Sequence, residues 1–170
     1  MHQTPYVHRM FRDVFTGIDT RQKKAIPINE LHTLLNEDPQ SDKLRRTQAI
    51  ANLLFLFCGM PFVDLAYLEK SNLEGNMLKY NRAKTGIPMN VEILDSAATI
   101  ISQLRNKHTT VLPEHPDYLF YILSGKNKRS DEAGYKEYQS ALRCFNNDLK
   151  SLARKLCIRS SVTVSYTHLR

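Results

Sequence analysis

No pair of cysteines or histidines in this sequence stands at the spacing that metal or redox chemistry requires. Cys58, Cys144 and Cys157 lie far apart, in apolar and helix-like surroundings, and form no Cys-x-x-Cys unit. An odd number of dispersed thiols excludes a disulfide scaffold and a zinc knuckle, and fits reduced thiols in a cytoplasmic protein. The six histidines make neither His-x-x-x-His nor His-Glu-x-x-His, so no metal or other cofactor is expected. There is no Gly-x-Ser-x-Gly, no P-loop and no paired-carboxylate signature, which removes the common hydrolase and nucleotidase classes. Long hydrophobic runs are missing as well. The longest, 53–63, contains Gly59 and Pro61 and falls far short of the roughly 20 residues that a membrane span needs. The opening stretch, MHQTPYVHRMFRD, is too polar and too charged for a secretory leader. No internal repeat or low-complexity tract occurs.

What is present suits one globular domain. Hydrophobic residues make up 42% of the 170 positions, enough for a packed core and against global disorder. Lys and Arg number 24 against 17 Asp and Glu, a formal charge of +7. That balance favours a polyanionic partner, a nucleic acid or an anionic membrane surface.

Residues 1–25 end in the basic string Arg21-Gln22-Lys23-Lys24 and read as a linker or the tail of a preceding domain. Pro27 then opens a short helix with Ile28, Leu31, Leu34 and Leu35 on one face. Pro39 and Ser41 interrupt the chain before a helix over 42–58, whose second half (LLFLFC) is apolar all round and therefore expected to be buried on every side. Gly59 stops that helix and Pro61 opens the next, PFVDLAYLEK. The period then changes. Residues 77–82 and 89–94 are short extended runs joined by Ala83-Lys84-Thr85-Gly86, a hairpin signal. Asp95 is expected to cap a helix with Ala97, Ile100, Ile101 and Leu104 inward. DYLFYIL, 117–123, reads as a strand or buried extended loop, and 125–134 as a polar, flexible surface loop. A last helix over 135–156 carries Tyr138, Leu142, Phe145, Leu149, Leu152 and Leu156 at alternating spacings of four and three, a core stripe or, less simply, a partner seam. Arg143, Lys150 and Arg154 share another face. The expected architecture is α+β: mainly helical, with one small antiparallel hairpin or sheet.

The string Gly59-Met60-Pro61-Phe62-Val63-Asp64-Leu65-Ala66-Tyr67-Leu68, followed by a hairpin bearing Arg82-Ala83-Lys84-Thr85-Gly86, resembles the tyrosine recombinases, nearest to integrases of phages and conjugative transposons. The likeness runs over about 24–158 and includes the Tyr-Leu-Phe strand and the long helix with Asn146 or Asn147, Leu149 and Lys150. It implies a metal-free transesterification on double-stranded DNA. A tyrosine attacks a phosphodiester, arginines and histidines stabilise the phosphorane, and a hairpin lysine protonates the leaving 5′-oxygen. It also implies a homo-oligomer assembled on DNA, and an upstream core-binding domain whose tail would be 1–25.

Carried over by position, Lys84 matches the hairpin lysine and is the candidate general acid; otherwise it is a solvated turn lysine. Arg82, two residues earlier, is a candidate phosphate contact or a plain surface arginine. Asp64 matches the acid that supports the first active-site arginine, yet Pro61 stands where that arginine is expected. Loss of one such donor costs roughly a hundred- to a thousandfold in rate. Asp64 is then a partner for a nearby cation, or a helix N-terminal charge. Lys126, Lys128 and Arg129 are candidate grips on backbone phosphates, or solvated loop charges; Arg21, Lys23 and Lys24 offer the same from the linker. His32, His108 and His115 read as surface residues. Tyr135, Tyr138 and Tyr166 are poor nucleophile candidates.

The likeness further requires a His- or Tyr-x-x-Arg box and then the tyrosine, after the long helix. His168-Leu169-Arg170 does not supply the box, because Thr167 stands three before Arg170. Tyr166 stands four before it, and one residue of slip rotates a helical side chain by about 100°. The segment 164–170 can be encoded by a string that matches a transposon-end sequencing adaptor. It is therefore expected to be a non-native tail on a partial catalytic domain spanning 26–163 that lacks the nucleophile. Two other functions stay open: a non-catalytic duplex DNA-binding module on the same scaffold, favoured by Pro61, and a helical RNA- or protein-binding domain.

Overall fold

The computed structural model describes residues 26–105, 116–127 and 129–164. Helix α1, Ile28–Asn36, follows Pro27 and buries Leu34. Its last carbonyls lack helical partners, and side chains of the next helix take them. Gln48 Nε2 donates to Leu34 O at 2.9 Å, and Asn52 Nδ2 donates to Leu35 O at 2.9 Å. The two helices thus meet at the C-terminal end of α1. Ile28, at its other end, is 79% exposed rather than inward.

Helix α2, Asp42–Leu56, buries Thr47, Ile50, Leu53 and Leu54, with Phe57 just beyond. The expectation of burial on every side fails at Phe55, which is 55% exposed; the surrounding elements cover only one side of this helix end. The helix closes with Met60 N–H reaching Leu54 O at 3.0 Å. Cys58 (φ 56°) and Gly59 (φ 75°) both adopt the left-handed conformation that this closure needs. All three cysteines are free and exposed.

Helix α3 is only Phe62–Ala66, five residues, all buried. The longer helix expected over PFVDLAYLEK does not form, because the next residues pair elsewhere. Leu119 N–H donates to Leu68 O at 2.7 Å and Lys70 N–H to Asp117 O at 2.9 Å. A single 3-10 turn, Lys70–Asn72, leads into the sheet. Its strands are β1 Leu73–Glu74, β2 Met77–Asn81 and β3 Pro88–Glu92, antiparallel in that order. Tyr80 faces Met89 and Leu78 faces Val91 across the ladder. Leu78, Tyr80 and Val91 are buried while Lys79 and Asn81 point outward, the period-two pattern of a half-buried strand.

Helix α4, Asp95–Leu104, buries Ala97 and Ile101. Asp95 is its first residue, preceded by Leu94, and makes no side-chain cap; it can favour the helix only through its charge. Tyr118, Leu119, Phe120 and Leu123 are buried, with isolated bridges from Tyr118 to Glu69 and from Phe120 to Arg105. The extended segment read from DYLFYIL is therefore an interior one. Helix α5, Glu132–Lys155, begins three residues before the expected start and buries Gly134 in its first turn. Its stripe of Tyr138, Leu142, Phe145, Leu149 and Leu152 lies in the core, and α5 packs most heavily on α2.

Aromatic rings join these helices. Phe62 stacks on Phe145 with centroids 4.7 Å apart, and Tyr67 lies 5.7 Å from Tyr138 and 5.9 Å from Tyr118. Beyond α5 the chain doubles back. Ser160 N–H donates to Glu30 at 3.1 Å and Val162 is buried. The Asn146 side chain then accepts from Val164 N–H at 2.9 Å and donates to Val164 O at 3.4 Å. Val164 is the first residue of the segment read as a non-native tail; 165–170 lie outside the described residues. The fold is mainly helical with one small three-stranded antiparallel sheet, as expected. Among the described residues no helix is long and apolar enough to cross a membrane.

Candidate functional site

The corner at Cys58 and Gly59 hands the chain to Pro61, whose carbonyl accepts from Asp64 N–H at 3.0 Å and Leu65 N–H at 3.2 Å. This fixes Asp64 in the short helix α3 with its side chain turned inward, only 5% exposed. Asp64 Oδ1 accepts from the Ala83 N–H at 2.9 Å. The bond ties α3 to the turn between β2 and β3. That turn closes on itself: Arg82 O accepts from Thr85 and Gly86 N–H, and Arg82 N–H donates to Ile87 O at 2.9 Å. Gly86 sits at φ 69°, where a side chain would strain the backbone. Lys84 is exposed at the tip and Arg82 is half-buried at the base.

The second Asp64 oxygen, Oδ2, is buried and has no hydrogen-bond partner among the described residues. Burial pushes the Asp64 carboxyl above the usual aspartate range. The Ala83 N–H and the charges of Arg82 and Arg129 oppose that rise without cancelling it. A polar pocket of about 190 Å³ opens here, lined by Asp64, Tyr67, Asn72, Tyr80, Asn81 and Arg129. Burial also raises the phenols of Tyr67 and Tyr80, and pushes that of Tyr118 up to about 12. None of the three is set up to be a phenolate near neutral pH.

Arg129 reaches the pocket from the approach to α5, with its guanidinium carbon 4.7 Å from the Tyr67 ring centroid. The loop before it is tethered, not merely polar. Glu137, in the second turn of α5, accepts from Ser124 N–H and from Asn127 Nδ2 at 3.0 Å. Burial raises the Glu137 carboxyl, but these donors and the Lys126 charge outweigh it and hold the group below the usual glutamate range.

Of the residues singled out from the sequence, Asp64, Arg82 and Arg129 come together, and Lys84 stands exposed at the tip of the turn that Asp64 holds. Two cations act on one acid and leave a surplus of positive charge at the base of the hairpin. Lys126 is exposed on the tethered loop. Lys128, the basic string at 21–24, His108, His115, Tyr166 and His168-Leu169-Arg170 lie outside the described residues; His32 is exposed. Pro61 stands at the turn where the likeness expects an arginine, and the acid below it holds the lysine hairpin instead. Tyr67, Tyr80 and Glu137 escaped the sequence reading. Only Tyr67 had a local signal, lying one helical turn after Asp64 in Asp-Leu-Ala-Tyr. Among the described residues no group of histidine, cysteine or acidic side chains could hold a metal ion.

No protein-family model matches this sequence, and no curated protein matches it. Among solved structures, the crystal structure of XerA recombinase superposes with a TM-score of 0.54 at 20% identity, over 87% of this chain and 47% of that one. The present chain thus spans about half the length of that recombinase, and the likeness is one of fold. The mainly helical architecture with its small antiparallel sheet is thus shared with part of that recombinase.

Proposed function

We propose that this chain carries part of the catalytic domain of a site-specific DNA recombinase, an integrase of a mobile element. It would exchange phosphodiester bonds through a phosphotyrosyl intermediate, as a homo-oligomer on duplex DNA in the cytoplasm. The observation that carries the reading is the bond from Ala83 N–H to Asp64, which seats the Lys84 turn beside a surplus of positive charge. A tyrosine hydroxyl attacks phosphorus and releases its proton to solvent, the bond to the 5′-oxygen breaks, and the Lys84 ammonium gives that oxygen a proton. The 3′-phosphotyrosyl bond conserves the energy of the broken linkage, so a 5′-hydroxyl can reverse the step without ATP or metal. None of the described tyrosines is assigned the nucleophile's part.

Support would come from duplex binding that weakens steeply with salt. It would come equally from a denaturation-resistant adduct between a nicked duplex and the protein encoded by the uninterrupted gene. Lys84→Ala should slow adduct formation by about a hundredfold or more; unchanged rejoining would remove Lys84 from this role. Pro61 favours a second reading, a duplex-binding module without chemistry. Intact binding with no adduct from the uninterrupted gene selects it.

A further inference from the structure

We propose that Arg129 is a phosphodiester-contacting arginine of the reaction centre, and that Tyr67 is its positioning residue. The inference rests on the DNA-rejoining reading above and goes further, because it takes Arg129 out of the class of loop cations. Three observations separate it from Lys126. First, its guanidinium lies over the Tyr67 ring. Stacking uses the face of the cation and leaves its in-plane N–H groups free to fork onto phosphate oxygens. Second, the ring beneath is itself held, edge-on by Tyr118 at 69° and against the buried Tyr138 of α5. The loop leading to Arg129 is pinned by Glu137. The cation is therefore preorganised from two sides, as stabilisation of developing charge requires.

Third, Arg129 borders the pocket that Asp64 also lines, and Asp64 Oδ2 is buried without a hydrogen-bond partner among the described residues. A buried carboxylate oxygen without a donor is costly, and Arg129 and Arg82 are the cations whose charge it feels. A guanidinium shared between Oδ2 and a phosphate would satisfy both acceptors, one on each edge. Arg82 approaches the same acid from the base of the hairpin, so a phosphate between them would meet two arginines. Pro61 contributes no charge to this arrangement. Arg129 brings it from a part of the chain 68 residues further on.

The test is anisotropy of a fluorescein-labelled 30-base-pair duplex with the present chain, over a salt series, with folding checked by circular dichroism. Arg129→Ala is expected to weaken binding about tenfold and to reduce the salt slope by about 0.9. Tyr67→Leu should lose most of that affinity, while Tyr67→Phe, which keeps the ring, should bind as the parent does. The Arg129→Ala, Tyr67→Leu double variant should be no weaker than Arg129→Ala alone, whereas Lys126→Ala should add independently to Tyr67→Leu. Parent-like binding by Arg129→Ala, or full additivity with Tyr67→Leu, overturns the assignment and leaves the DNA reading intact. A parent chain that ignores the duplex in dilute buffer overturns the DNA reading itself, and this assignment with it. With protein from the uninterrupted gene, Arg129→Ala should also slow adduct formation roughly a hundred- to a thousandfold at saturating DNA, a loss that Lys126→Ala does not share.

Discussion

Removal of the Asp64 carboxylate probes the link between scaffold and hairpin directly. In Asp64→Ala the Ala83 N–H loses its acceptor at 2.9 Å. A bond to a charged acceptor contributes about 1.5–3 kcal/mol. Against that stands relief of a buried, half-satisfied charge, which burial already disfavours. The net loss is therefore expected near the lower figure, about 1.5 kcal/mol, or roughly 3–6 °C in Tm for a chain of this size. Asp64→Asn keeps an oxygen for Ala83 and sheds the charge, so it should unfold within about 0.5 kcal/mol of the parent. The pH dependence separates the two effects. The folded-state pKa of Asp64 lies above its ordinary value of 3.8, so the folded protein holds this proton more tightly than the unfolded chain does. Stability from this group is greatest below pH 3.8 and falls as pH rises to the raised folded value, then stays level. Thermal unfolding of the parent and Asp64→Asn between pH 3 and 8 should show that fall in the parent alone. Amide exchange at Ala83 supplies the local readout, about tenfold faster for each 1.4 kcal/mol of lost protection. If Asp64→Ala leaves both Tm and Ala83 exchange at parent values, the acid does not hold the hairpin.

Glu137→Ala should release the loop ahead of Arg129 and speed tryptic cleavage after Lys126 and Arg129, with helix content unchanged by circular dichroism. Because the Glu137 carboxyl is held below its ordinary 4.5, its contribution is present above that pH and lost on acidification through the lower folded value. The parent loop should therefore also become more cleavable as pH falls below 4.5, read with an acid-active protease. Leu142 is fully buried in α5, so Leu142→Ala should cost about 2–5 kcal/mol, seen as a lower midpoint in chemical denaturation. A loss under 1 kcal/mol would show that the α2–α5 seam is not the main core.

Elements that follow from local periodicity are legible in the sequence. The stripe of α5 repeats at threes and fours over about four turns, and only a helix puts Tyr138, Leu142, Phe145, Leu149 and Leu152 on one side. The Ala83–Gly86 turn likewise follows from a glycine that must go left-handed. What escaped was decided by distant partners. Residues 67–70 read as helix, yet Leu68 and Lys70 make their backbone bonds with Leu119 and Asp117, far along the chain, and α3 ends at Ala66. Phe55 read as interior because its neighbours are apolar, but burial depends on what lies across a helix face, which composition does not encode. The site divides in the same way. Asp64 and Lys84 were identifiable by resemblance and Arg82 by its place on the hairpin. The service of Asp64 to Ala83, the seat of Arg129 on Tyr67 and the tether from Glu137 are tertiary facts.

The paired bonds between Asn146 and Val164 set a direction for the polypeptide. Val164 lies level with the middle of α5, nine residues before its last, or about 14 Å back from that end. That anchorage is two turns from Tyr138, whose ring adjoins Tyr67 and hence Arg129. One buried amide side chain thus works as a guide rail: it holds the returning backbone against the middle of the long helix. Replacing Asn146 would release that return, even with every group at the hairpin in place.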